Sequence, residues 1–506
     1  MKKNLVYSIV VLATAGVSAC NSGHTTAQNS LSTQGNKITA EKPAVKSITP
    51  HNSDYPFHGI AVSDSIQSNI MAPQSNYIMV PNLKGVIIGR RDALSSSSAS
   101  YSWGGNLNLQ SQLSVHDAAF CPAIDGRVFG VVVGDDQLGV VSSSNQPSNN
   151  NPGANTFSLN YISTYAQARI VWSSVSCTQS KNDVYIALAG YDVEDNLWGA
   201  TYAIPETAIK DKKTLITSNE LRLLISPRRL ATKPDGFNKE YEGDHFFNAS
   251  FVKYKFNSKT DVGIVYSTAY GLYYTPQLGT GIIALNDITS LVRRNMGDNL
   301  LSVAPTASLL SSDEDVTPGE EEQVPMIALD AMDISKSVNS FIFFGEAFTS
   351  MNNRTPFIQN QYSTVVQDPL GSDVLNGHTL DPLVPVISGN ACTEKNHLCL
   401  FLLRNLNSKH TASVLVGYSS LKSTFKHTKD TVASYIDINQ AGSYHADSVY
   451  TGIAALNDGQ LSSKSQFIMV GGQYGNIVER SCSSATDCSQ VVLKDNLENR
   501  YIGLAK

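Results

Sequence analysis

Short apolar runs recur along most of the chain, and few of them carry the spacing of a helix. They read GVIIG (85–89), VFGVVVG (128–134), DVYIALAG (183–190), DVGIVYS (261–267), SFIFFGE (340–346), LCLFLLR (398–404) and QFIMVGG (466–472). Continuous runs of branched and aromatic side chains suit strands buried on both faces. Most are followed by a hairpin: GDDQLGVV and GQYGNIV are tight, and RNLNSKHTASVLVGY has a longer loop. Most are also preceded by a strand of small and apolar residues and a polar turn, as in HDAAFCPAIDGR, WSSVSCTQSKND, NASFVKYKFNSKTD, MIALDAMDISKSVN, VISGNACTEKNH and GIAALNDGQLSSKS.

Strand, turn, strand, turn, strand is the unit of a β-propeller blade, which covers its faces by stacking on its neighbours around a ring. The pattern therefore predicts an all-β protein, a propeller of about seven blades. Tandem β-sandwiches are the rival architecture, since they also give short strands at regular spacing. Uninterrupted recurrence of one unit favours the ring. The spacing is uneven, from 43 to 79 residues between successive runs, so the gaps at 190–261 and 267–340 must hold long loops or an extra blade. The second gap contains NDITSLVRRN, which reads as a short helix capped at Asn286 or Asp287, and the acidic stretch SSDEDVTPGEEEQ (311–323), which reads as a solvated loop. TGIIALND (280–287) and TGIAALND (451–458) match at seven of eight positions but fall at different places in the blade scheme.

The amino terminus has a different pattern. Lys2 and Lys3 precede a mostly apolar run, Leu5 to Val17, too short to span a bilayer and of the form of a secretory signal. Val17-Ser18-Ala19-Cys20 resembles the bacterial lipobox. The resemblance implies cleavage before Cys20, lipidation of that residue, and anchoring to a membrane by several acyl chains. Asn21, rather than Asp, implies by the same resemblance the outer membrane. An ordinary signal peptide cut after Ala19 is the alternative. Residues 20–55, rich in Ser, Thr, Asn, Gln and Lys, read as a disordered tether. The division is then 1–19 signal peptide, 20–55 lipidated cysteine and tether, and 56–506 propeller.

Charge narrows the range of partners. Charged residues make up 16% of the chain, the net charge is −6 and no basic stripe is visible, so nucleic acid is not expected as a partner. No second long apolar segment follows the signal, so the body is expected to be soluble. Cysteine points to the compartment. With Cys20 lipidated, six cysteines remain, an even number that in an exported chain suggests disulfides. Cys392 with Cys399, and Cys482 with Cys488, have spacings that suit bridges across a hairpin or loop. Cys121 and Cys177 are left, late in the first strands of adjacent units, where a bridge would join blades two and three. Metal ligation competes, but there is no CxxC and no paired-histidine spacing.

Familiar catalytic signatures are absent: no HExxH, no GxSxG, no P-loop. GTGIIA (Gly279 to Ala284) formally matches a dinucleotide fingerprint, but its surroundings read as strands and not as a βαβ unit. One constellation remains. Three units begin with a histidine near an aspartate: His116 and Asp117, Asp244 and His245, His445 and Asp447. First strands open onto the channel of a propeller, so these groups, with Arg169, Glu322 and Asp381 near equivalent starts, would line a polar, mostly acidic funnel. Imidazole and carboxylate together suit a divalent metal, a polar ligand or acid–base work. Solvated loop residues are the plain alternative, and no cofactor other than such a metal is implied. Tyr191, Tyr270, Tyr273, Tyr274, Tyr474 and Trp198 lie in expected hairpins, where they would either face a protein or carbohydrate or pack between blades. Two functions follow. The first is a lipid-anchored module that binds or scaffolds an envelope protein or extracellular ligand. The second is an exported hydrolase or lyase acting on a polysaccharide at the His/Asp funnel.

Overall fold

The computed structural model describes the strands and many of their turns between residues 55 and 502, with side chains described chiefly in 55–275 and 449–502. Residues 1–54, which take in the expected signal and nearly all of the expected tether, lie outside the described residues, as does the acidic stretch 311–323. Among the described residues, twenty-eight strands form seven four-stranded antiparallel sheets. The first holds β1 (Ala61–Val62), β2 (Ser75–Asn82), β3 (Gly85–Ser95) and β4 (Ser98–Asn108). The second holds β5 (Val115–Phe120), β6 (Phe129–Gly134), β7 (Gln137–Ser143) and β8 (Phe157–Ser163). The third holds β9 (Val171–Ser180), β10 (Asp183–Tyr191), β11 (Leu197–Pro205) and β12 (Arg222–Ala231). The fourth holds β13 (Asn248–Phe256), β14 (Lys259–Thr268), β15 (Gly271–Thr275) and β16 (Asn286–Asp287). The fifth holds β17 (Ser308–Leu310), β18 (Val324–Met332), β19 (Asn339–Ala347) and β20 (Ile358–Gln367). The sixth holds β21 (Pro385–Thr393), β22 (Leu398–Asn405), β23 (Ser413–Ser420) and β24 (Thr431–Ile436). The seventh holds β25 (Tyr450–Leu456), β26 (Ser465–Gly471), β27 (Asn476–Ser484) and β28 (Asp487–Asn496), followed by a short helix, α1 (Glu498–Ile502).

Each sheet pairs its strands in chain order, and each sheet packs on the next. β1 lies against β5, β5 against β9, β9 against β13, β13 against β18, β18 against β21, β21 against β25, and β25 against β1. That circuit is a β-propeller. Tandem sandwiches would instead stack two sheets face to face as closed pairs.

The runs form strands because they are apolar on both faces. On β6, Val131 and Val133 enter a core shared with the third blade, while Val132 enters the core shared with the first. Every residue of β6 is buried. On β10, Ile186 and Leu188 face the second blade, and the smaller Ala187 and Ala189 face the fourth, where Phe247, Phe251 and Tyr266 occupy the space. Burying each Val or Leu fully is worth about 1.5–3 kcal/mol, so the inter-blade cores dominate the stability.

Two expectations are corrected. GVIIG lies on β3, the third strand of its blade; the central strand is β2, and the inner one, β1, is only two residues long. Asn286 and Asp287, read as a helix cap, form β16 and pair with Tyr274 and Tyr273; the rest of that segment lies outside the described residues. The two look-alike octapeptides do occupy different positions, as the blade scheme places them: residues 451–456 lie on the inner strand β25 and 286–287 form the outer strand β16.

Among the described residues, the ring closes without a strand shared between its ends. The first blade uses only residues before 109 and the seventh only residues after 449. A core of Phe57, Ile78, Val80, Ile468, Val470 and Leu497, among others, fills the seam. Arg91 Nε donates to Glu479 Oε1 at 2.5 Å, and Arg91 Nη2 to Gln466 Oε1 at 2.8 Å. Tyr101 also donates to Glu479. Helix α1 lies over the first blade: Arg500 donates to the carbonyls of Trp103 (2.6 Å) and Gly104 (3.1 Å), and Lys84 sits 4.5 Å above the Tyr501 ring.

Candidate functional site

In antiparallel strands laid in chain order, the start of the first strand shares an end with the turn between the second and third. That end of the second blade gathers the candidate groups. His116, at the start of β5, is 3% exposed. Its Nε2 lies 3.1 Å from Asp135 Oδ1 in the β6–β7 hairpin, and because a carboxylate only accepts, Nε2 carries the proton. Arg169 Nη2, just before β9, lies 3.6 Å from Asp135 Oδ2. Asp136, the next hairpin residue, has a left-handed φ of 54°. Its amide donates to Ile170 O at 2.9 Å and its carboxylate accepts from Ile170 N at 2.8 Å, which binds the hairpin to the entry of the third blade.

A second imidazole joins from the first blade. His58, ahead of β1, is 5% exposed, and its Nδ1 donates to Val115 O at 2.5 Å. Its ring stacks on that of His116, centroids 5.7 Å apart and planes 12° apart. His58 and Asp135 escaped the sequence reading. The available signals were the sequence FHG just before the first inner strand and the two aspartates of the tight GDDQ turn.

Asp117 is turned to another use. Its Oδ1 accepts from Ala118 N at 2.8 Å and its Oδ2 from Val175 N, on the inner strand of the next blade, at 2.9 Å. Ser174 also hydrogen-bonds to it, and Ser174 Oγ accepts from Ala249 N on β13 at 3.3 Å. The carboxylate thus begins a polar tie running through the inner strands of blades two, three and four. Burial pushes its pKa up to about 6 against the pull of these donors and of His116. As a metal ligand it would have to release backbone donors that are themselves buried, which costs free energy.

Asp244, His245, His445, Asp447, Glu322 and Asp381 lie outside the described residues, so of the three His–Asp windows the structure places one. Among the described residues no group of three or more His, Cys, Asp or Glu is arranged to hold a metal ion. What the site presents is an imidazole–carboxylate pair with an adjacent guanidinium, a set that can orient a polar ligand or relay a proton.

Cys121 and Cys177 form the bridge between blades two and three, Cα atoms 5.1 Å apart, and Cys482 and Cys488 form one across β27 and β28. The backbone sets Cys392 opposite Cys399; their side chains lie outside the described ones. The aromatic residues divide in favour of packing. Tyr191, Tyr270 and Tyr274 are buried, with Tyr191 stacked on Phe247 at 5.0 Å. The Tyr270 hydroxyl accepts from Leu197 N and donates to Asp195 O, joining blades three and four. Tyr273, Tyr474 and Trp198 are half-buried, and Trp198 Nε1 donates to Asp192 at 2.8 Å.

No family model matches the chain, and no curated protein does. Among solved structures it is similar to a subtype N10 neuraminidase-like protein of A/little yellow-shouldered bat/Guatemala/060/2010. The identity is 9% and the TM-score 0.32, over 71% of this chain and 92% of that one. It is also similar to Bacteroides ovatus Xyloglucan PUL GH43B, at 10% identity and a TM-score of 0.22, over 89% of this chain and 82% of that one. Likenesses at these scores carry no argument about the site.

Proposed function

We propose that this chain is a lipid-anchored protein of the bacterial outer membrane whose propeller binds an envelope protein or an extracellular ligand. The observation that carries the reading is the Cys121–Cys177 bridge between two blades. Such bridges persist where thiols are oxidised, which agrees with export directed by residues 1–20. Binding is supported by how the inner polar groups are used. Asp117, Ser174 and His58 tie neighbouring blades together, and a stiff frame carrying loops is what positions a binding surface.

Fractionation of cells expressing the chain tests the anchor. The wild type should sediment with outer membrane and need detergent for release, whereas Cys20→Ala should be soluble in the periplasm. A Cys20→Ala protein that still sediments would refute the anchor. A photo-cross-linker at position 169, beside the His116–Asp135 pair, tests the binding face. One discrete envelope adduct is expected, and none at all would count against that face.

A hydrolase or lyase acting on polysaccharide is the second reading, favoured by the contact of His116, Asp135 and Arg169 at one end of the ring. Elemental mass spectrometry on chelator-free protein decides its metal-dependent form. About one equivalent of metal, lost in His116→Ala, would raise this reading above the first.

A further inference from the structure

The outer strand of the third blade differs in charge from the other outer strands. β12 reads RLLISPRRLA and carries Arg222, Arg228 and Arg229 with no acidic residue. None of the other six described outer strands contains an arginine. All three arginines are exposed. Arg222 pairs with Asp183 at 3.1 Å but remains 56% exposed, while among the described residues Arg228 and Arg229 have no ion-pair partner. Leu223, 48% exposed, extends the surface with an apolar step. Three arginines are too few to make a basic stripe in the sequence; the fold concentrates them on one rim.

Charged residues and proline on an edge strand also prevent edge-to-edge pairing. Pro227 already serves that purpose by removing a donor from the middle of β12. Arginine brings something more: a planar fork matched to carboxylates. Arg228 and Arg229, being successive, project to opposite faces and straddle the open rim. Arg222 lies six residues away, but bulges in β12 set Arg222 opposite Ala203 and Arg228 opposite Gly199, four residues apart on β11 and so about 13 Å along the sheet. A row of this length suits a linear ligand with repeated negative charges, each contact weak and the sum appreciable.

We propose that β12 binds a linear carboxylate-bearing polysaccharide along its open edge. The proposal deepens the binding reading by naming a ligand class, and it is independent of the lipid anchor. The full-length protein, purified in detergent, is titrated with polygalacturonate and with neutral dextran. Polygalacturonate should bind, dextran should not, and raising salt from 50 to 300 mM should weaken binding severalfold. Arg228→Gln/Arg229→Gln should lose at least tenfold in affinity with an unchanged melting temperature. If that pair fails to fold, Ser226→Glu, an exposed change on the same strand, should weaken binding in the same direction. Unchanged affinity in a folded variant would overturn the proposal. So would a protein that ignores polygalacturonate, including one that binds only anionic vesicles or polyglutamate. Either failure leaves the Cys20→Ala fractionation result untouched.

Discussion

Asp117 illustrates how one residue can be read as chemistry in the sequence and as framework in the fold. It sits beside a histidine at the mouth of a channel, which suggests a ligand or a base. Its oxygens instead accept the amides of Ala118 and Val175. Asp117→Ala leaves both donors without an acceptor and should destabilise the protein by about 2–4 kcal/mol, read from chemical denaturation. The pH dependence has a definite sign. Burial raises the carboxyl from 3.8 to about 6 in the folded protein, so between those values the native state holds a proton that the unfolded chain has released. The contribution of the neutral acid is complete below about pH 4 and lost as pH rises through about 6. Relative to Asp117→Asn, which cannot ionise, the wild type should lose up to about 3 kcal/mol between pH 4 and pH 8. A pH-independent difference would show that the carboxyl is not raised.

Between elements, the blades depend on ties across their inner strands. The Cys121–Cys177 bridge closes a loop with a sequence separation of 56. On the chain-entropy account such a link stabilises by about 4 kcal/mol. Cys121→Ser/Cys177→Ser should therefore lower the stability by up to that amount, while the bridge across β27 and β28, with a separation of 6, should matter less, about 2 kcal/mol. Close backbone approach matters as much at the ring's seam. A Cβ on Gly452 would lie 2.6 Å from Ile60 N and 2.8 Å from Gly59 Cα. Gly452→Ala must push blade seven away from the entry to blade one, and it should cost about 1–3 kcal/mol in a thermal or denaturant melt. A neutral effect would mean that the seam yields freely there.

At the scale of the molecule, the ring is held shut by side chains and by a main-chain bond from Phe57 N to Gly472 O at 3.0 Å. The contacts of Arg91 with the half-buried Glu479 and the buried Gln466, and the clasp of α1 on the first blade, stand where a shared strand would. Glu479→Gln keeps the shape and removes the negative charge that faces Arg91, which is 3% exposed. Loss of about 3–5 kcal/mol is expected, with faster hydrogen exchange in β3 and β27 than elsewhere. The central strands were legible in the sequence because burial on both faces leaves an unbroken apolar run, as on β6, β10 and β26. The first blade was misread because its inner strand shrinks to Ala61–Val62 and its central strand carries Pro81. The site was legible only in part. His116 could be suspected from its position at a strand start, but its partners are set by the fold: Asp135, 19 residues away, meets it when the second blade forms, and His58, 58 residues before it, when the first blade packs on the second. The tyrosines were ambiguous for the same reason: a hairpin looks exposed until the next blade covers it, as the fourth covers Tyr191.

The intact mass of the purified mature protein, before and after reduction and alkylation, tests the account of an exported, anchored and cross-linked propeller most directly. The account predicts a chain beginning at an acylated Cys20, no alkylation without reductant, and six alkylated thiols after reduction, one for each cysteine from Cys121 to Cys488. An unacylated amino terminus, or thiols that alkylate in the folded protein without reductant, would contradict it.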